Sequence, residues 1–163
     1  MANMCDFKMR VVGKKRENIE TFYNMLNQKG TTYMGRGGES IMKDISEADG
    51  VYSTTIEGWC KWSKRASLVL EAITIRNHHE RWTFGNTVEM DTLKFLTLYE
   101  ACEKLELDVE VYSSEPGCEF QEHVLCRHGE VEIDDCVSYT EEYDEESDEY
   151  ITTGGYEVWD FEI

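Results

Sequence analysis

Past Arg127 the chain has no lysine and no arginine, although 14 aspartates and glutamates follow. Phosphate contacts need basic side chains, so this absence argues against direct DNA or RNA binding. No apolar run approaches the roughly 20 residues that a membrane-spanning helix requires. The stretch "MANMCDFKMR" lacks the apolar core of a signal peptide. A soluble cytoplasmic chain is the expectation, with no membrane partner. Cys-x-x-Cys is missing, which removes a local zinc knuckle. So are H-E-x-x-H, G-x-S-x-G and a phosphate-binding glycine loop. "DEESDEYITTGG" has the acids of a calcium loop, but Glu149 stands where the turn glycine belongs and Gly155 where the bidentate glutamate belongs. With every such motif absent, the expectation is a protein that is not an enzyme.

What is present is acid, unevenly placed. Residues 1–82 hold 13 basic and 10 acidic residues, a charge of +3; residues 83–163 hold 3 and 24, a charge of −21, which together make the net −18. Such a field draws basic partners. At 163 residues with 40% apolar content, the chain is one domain's worth and can bury a core. The expected division is a single domain over 1–163 with an acidic C-terminal extension, 130–163.

Periodicity orders the elements. "MCDFKMRVVG" alternates Cys5, Phe7, Met9 and Val11 against polar residues, a half-buried strand closed by Gly13. Ile19, Phe22, Tyr23 and Leu26 sit at helical spacing, with Gly30 as a stop. "MGRGGESIMKDISEADG" reads as loop, and "GVYSTTIEGWCKWS" as two short strands turning near Gly58. A second helix is expected over 91–105, capped by Asp91, with Phe95, Leu98, Tyr99 and Cys102 on its apolar face. "LDVEVYSSEPG" is a strand with Leu107, Val109 and Val111 on one side. "CEFQEHVLCRHGEVEIDDCVSY" is a hairpin about His128-Gly129, with Val131, Ile133 and Val137 on one face. Strand–helix–strand–strand–helix–strand is the ferredoxin-like pattern. The expected fold is an α+β ferredoxin-like sandwich with a C-terminal β-extension, its first and third strands parallel and adjacent. In the acidic end, "EEYDEESDEY" reads as a tethered loop and "YEVWDFEI" as a strand added to the sheet.

That arrangement brings Cys5, Cys60 and Cys118 toward one end of the sheet. A two-residue turn would pair Gln121 with Cys136 and His123 with Asp134, placing Cys136 and His123 on one face at the same end. Cys5, Cys60, Cys118, Cys136 and His123 are therefore the candidate ligands of a zinc ion; the alternative is that the cysteines are small buried hydrophobes. Glu122-His123 cannot act as a simple acid–base pair, because adjacent strand residues point to opposite faces. The candidate partner surface is Glu141, Glu142, Tyr143, Asp144, Glu145, Glu146, Asp148 and Glu149, where carboxylates and interleaved tyrosines suit Arg-rich surfaces.

The segment "LDVEVYSSEPGCEFQEHVLCRHGEV" (107–131), together with "GWCKWS" (58–63), resembles the YubB ferredoxin-like family of phages and other mobile elements. The resemblance implies a ferredoxin-like α+β fold and a mobile-element origin, and offers no catalytic residues to transfer. The chain departs from it in "RNHHERWTFGNTVEM" (76–90) and in its acidic end. Small acidic phage-type proteins also resemble the inhibitors of host defence nucleases, including anti-CRISPR proteins. The expectation is then a non-enzymatic inhibitor in the bacterial host cytoplasm, binding the basic surface of a host defence protein such as an RNA-guided nuclease. The alternatives are an accessory phage structural or assembly protein with a solubilising acidic face, and a zinc-binding domain of another role.

Overall fold

A computed structural model describes residues 4–27, 32–33, 38–61, 94–95 and 98–163. In chain order the elements are β1 (Met4–Gly13), α1 (Arg16–Leu26), β2 (Thr32–Tyr33), β3 (Gly38–Met42), β4 (Ser46–Ala48), β5 (Val51–Lys61), β6 (Lys94–Phe95), α2 (Leu98–Leu105), β7 (Leu107–Glu115), β8 (Phe120–Arg127), β9 (Glu130–Asp144) and β10 (Glu149–Gly154). The main sheet runs β10-β9-β8-β7-β1-β5-β3, with β4 also paired to β5, and each of its pairings is antiparallel. β2 and β6 form a separate parallel pair. Among the described residues the fold is α+β, mostly antiparallel sheet with two helices. No helix among them is long and apolar enough to cross a membrane.

Both helices lie on one face of the sheet, where the strand alternation points its apolar set. Phe7, Met9 and Val11 of β1, Ile56 of β5, Val109 and Val111 of β7 and Val124 and Cys126 of β8 meet Ile19, Phe22, Met25 and Leu26 of α1 and Leu98, Ala101 and Cys102 of α2. Burying a side chain of this size stabilises the fold by about 1.5–3 kcal/mol, which is why period-2 and period-3.6 patterns decide these elements.

Several expectations are corrected. β1 and β5, expected parallel, are antiparallel, with Cys5 opposite Cys60 and Val11 opposite Thr54. The reason is topological: α1 returns the chain so that β3 runs with β1 at the sheet edge, and the chain must reverse before β5 can insert between them. The stretch read as loop, 34–50, therefore holds β3 and β4. Asp49 and Gly50 both have positive φ, 53° and 75°, and close the two-residue β4–β5 hairpin. Asp-Gly is the strongest short hairpin signal, and it stood in the sequence. Gly58 makes no turn: β5 is one strand, and a Cβ at Gly58 would lie 2.1 Å from the Glu39 carbonyl oxygen. Glycine is there so that β3 can approach. The second helix begins at Leu98, and Phe95, expected on its apolar face, pairs with Tyr33 in β6. Asp91, Trp62 and the 76–90 insertion lie outside the described residues.

The hairpin about His128-Gly129 forms as expected, both turn residues having positive φ, 49° and 90°. Its register is not the expected one. Arg127 faces Glu130 and Cys126 faces Val131, but a β-bulge follows between Leu125 and Cys126, so that Leu125 faces Ile133 and Val124 faces Asp134. One extra residue turns the rest of β9 over. Ile133 and Val137 consequently share a face with Leu125 and Gln121, away from the helices.

Candidate functional site

The acidic run is a β-hairpin, not a loop. Tyr143 and Tyr150 are cross-strand partners, as are Glu142 and Ile151, and Glu141 and Thr152. Tyr, Ile and Thr are strong strand formers, and here they outweigh the charge between them. The turn is pinned by Asp144. Its Oδ1 accepts from the Glu146 backbone N–H at 3.1 Å, its Oδ2 from Ser147 Oγ at 2.8 Å, and its carbonyl oxygen from the Asp148 N–H at 3.0 Å. The Ser147 hydroxyl and the Glu146 N–H hold the Asp144 carboxyl below the usual carboxylate range. The Tyr143 hydroxyl donates to Asp148 Oδ1, and that bond raises the tyrosine's pKa. The Tyr143 and Tyr150 rings lie 5.3 Å apart, with side chains 50% and 70% exposed.

Every residue of the candidate partner surface falls on this hairpin: Glu141, Glu142, Tyr143 and Asp144 on β9, Glu145, Glu146 and Asp148 in the turn, and Glu149 on β10. Seven of the nine residues from 141 to 149 are acidic. Asp144 stands directly opposite Glu149. Like charges across a strand pair destabilise it by a few tenths of a kcal/mol to about 1 kcal/mol. The hairpin thus forms against its own charge.

A second constellation lies on the sheet face opposite the helices. Tyr112 of β7 and His123 of β8 are cross-strand partners with stacked rings, centroids 4.0 Å apart. Glu110 is fully buried, and its Oε1 lies 2.7 Å from His123 Nε2. Its Oε2 accepts the backbone N–H of Glu162 at 2.6 Å and of Ile163 at 3.3 Å. The Tyr112 hydroxyl donates to the Asp160 carbonyl at 3.0 Å. Residues 156–163 are therefore an ordered strap across this face, and not the strand expected: their backbone bonds go to side chains of β7 and β8, so they join no ladder. Gly154 and Gly155, with φ of 82° and 75°, turn the chain back from β10. The Tyr156 N–H then donates to Gln121 Oε1 at 2.6 Å. Tyr156 and Phe161 set their edges against Tyr112, and Trp159 lies roughly parallel to it, with centroids 5.5, 5.5 and 6.0 Å away. Burial first, and then the Glu110 charge, push the Tyr112 phenol up to about 12. The network is roofed by aromatic rings and backbone, and it serves to anchor the strap.

The cysteines divide between sites. Cys5 and Cys60 are cross-strand partners and buried on the helix face. Cys118 is exposed in the β7–β8 turn, and Cys136 is exposed on β9 opposite Glu122. His123 faces Asp135, not the expected Asp134, and lies on the sheet face opposite Cys136, because the bulge slips the register by one. No group of three or more His, Cys, Asp or Glu among the described residues could hold a metal ion. Glu122 bonds Ser113 Oγ at 2.7 Å on the helix face while His123 points to the other, as strand alternation requires.

Sequence reasoning missed the buried glutamates. Glu110, Glu115 and Glu122 are 0%, 1% and 4% exposed. Among the described residues, neither oxygen of Glu115 has a hydrogen-bond partner. Glu110 reads as solvent-facing until the strap covers its side of the sheet, whereas Glu115 and Glu122 share the helix-side parity of Val109, Val111 and Val124. No family model, no curated protein and no solved structure matches this chain.

Proposed function

We propose that the chain is a non-enzymatic inhibitor of a host defence nuclease, of the anti-CRISPR kind, working in the bacterial cytoplasm. It would occupy a basic surface built for nucleic acid, and the β9–β10 hairpin would make the contact. The ferredoxin-like reading of the core belongs to this proposal; it is supported by the order β7-β1-β5-β3, which puts the fourth, first, third and second strands of a βαββαβ unit side by side. The observation that carries the functional reading is the hairpin's pinned acidity. Seven acids in nine residues are held by a hydrogen-bonded turn, and Asp144 and Glu149 are kept face to face at a cost in stability. Anionic groups at fixed spacing lose little conformational entropy on meeting a rigid cationic groove, unlike those of a disordered tail. An RNA-guided nuclease offers such a groove in its heteroduplex channel.

The test is DNA cleavage by type II CRISPR effectors, with and without the protein. Glu141, Glu142, Glu145, Glu146 and Glu149 are changed together to Gln, leaving Asp144 and Asp148 to keep the turn. Inhibition by the parent protein should weaken as salt rises. The five-fold variant should associate at least about tenfold more slowly, with its melting temperature unchanged or raised. Effectors untouched by the parent protein, with no defence protein captured from host lysate, would sink the inhibitor reading and leave the accessory-protein reading in its place.

A further inference from the structure

The outer edge of β10 is open. Among the described residues β10 ends the sheet, and all six of its residues are exposed. Alternate residues of an edge strand turn their N–H and C=O groups outward, a template for one more strand. Natural edges are commonly blunted by lysine, proline, a bulge or shortness. β10, "EYITTG", has no lysine and no proline, and its register with β9 is continuous from Glu149 to Gly154. Tyr150 is 70% exposed and Ile151 52%. Tyr, Ile and Thr suit a strand that is to be paired on both sides.

We infer that β10 is a docking edge that takes an extended basic segment of the partner as an additional strand. This inference rests on the basic partner proposed above and names the way that partner is held. The hairpin's charge selects the occupant. A second copy would bring another hairpin with seven acids against this one, so self-pairing is opposed. A segment alternating Arg or Lys with β-branched residues carries all its cations on one face, and that face would lie on the side of Glu141 and Tyr150, with Tyr150 available to stack on a guanidinium. Main-chain bonds to β10 would supply affinity, and the acids would supply orientation and a fast encounter.

The probe is a synthetic peptide alternating Arg and Val, about eight residues long to cover a strand of ordinary length. Its control has the same sequence with every amide N-methylated, which keeps the charge and side chains but leaves neither edge an N–H for a ladder. Binding to the full chain is followed by fluorescence anisotropy, and amide hydrogen exchange reports where the peptide sits. The unmodified peptide should bind at least about tenfold more tightly than the control and slow exchange in β10 but not in β3. In a second arm, Ile151→Pro and Thr152→Pro sample both parities of the strand. The variant that retains the hairpin by circular dichroism is the one whose N–H faced out, and it should lose the preference for the unmodified peptide. Equal binding of the two peptides would overturn the inference, as would protection on β3 or the strap, or a mass that doubles with concentration for the chain alone. The two proposals fail separately. If the Gln variant loses inhibition while the peptides bind equally, the charge reading stands and edge pairing falls. If the peptide pairs with β10 and no nuclease is inhibited, the edge stands and the nuclease reading falls.

Discussion

His123 Nε2 lies 2.7 Å from Glu110 Oε1, with both side chains buried beneath the strap. The same carboxylate, through its other oxygen, receives two backbone N–H groups from residues 52 and 53 positions later in the chain. One buried side chain thus ties the last residues to the middle of the sheet. Glu110→Ala leaves the imidazole and both N–H groups without their acceptor. Removing one partner from a buried, hydrogen-bonded pair costs about 3 kcal/mol or more. Denaturant unfolding should show that loss, while Glu110→Gln, which keeps an acceptor oxygen, should lose less.

Truncation after Gly155 should destabilise the protein without melting the hairpin. It removes the rings of Tyr156, Trp159 and Phe161 from Tyr112 and His123. Aromatic pairs are worth about 0.5–1.5 kcal/mol each beyond their buried area, so the four should total about 2–6 kcal/mol. Hydrogen exchange should show β9 and β10 amides little changed and β7 and β8 amides faster. An unchanged melting curve would mean that the strap contributes nothing.

Gly155→Ala should weaken the strap's anchorage. Gly155 has φ +75°, and a Cβ there would lie 2.6 Å from Gln121 Oε1, the acceptor of the Tyr156 N–H. Strain and displacement together should cost about 1–2 kcal/mol by denaturant titration.

Stability should fall between pH 10 and 12. The Tyr112 phenol holds its proton more tightly folded, to about 12, than unfolded, near 10. The folded state therefore binds more protons in that window, and raising the pH favours unfolding. The contribution is complete below 10 and lost as pH climbs toward 12. Tyr139 and Tyr156, raised mainly by burial, act in the same direction. Tyr112→Phe should flatten the decline in melting temperature across this window relative to the parent.

Glu149→Gln should move stability and association in opposite directions. It relieves the charge facing Asp144 and should stabilise the hairpin by about 0.5 kcal/mol. It should also slow association with a basic partner. A stabilised variant with unchanged association would remove Glu149 from the contact.

The face of each element was legible wherever its pattern met a single covering layer. Cys5, Phe7, Met9 and Val11 alternate because one side of β1 meets the helices, and α1 shows the helical version of the same rule. The net −18 and its concentration in the second half were likewise properties of the sequence alone, and so was the turn at His128-Gly129, which needs residues that accept positive φ. Tertiary structure decided the rest. Nothing local to Leu125-Cys126 announces the bulge that turns β9 over, since a bulge is a compromise between two strands. The burial of Glu110 could not be read from its strand, because its cover arrives from the last residues of the chain. "YEVWDFEI" carries the residues of a strand. It is held as a strap because its N–H groups find an acceptor in Glu110, and only the folded sheet brings that carboxylate within reach.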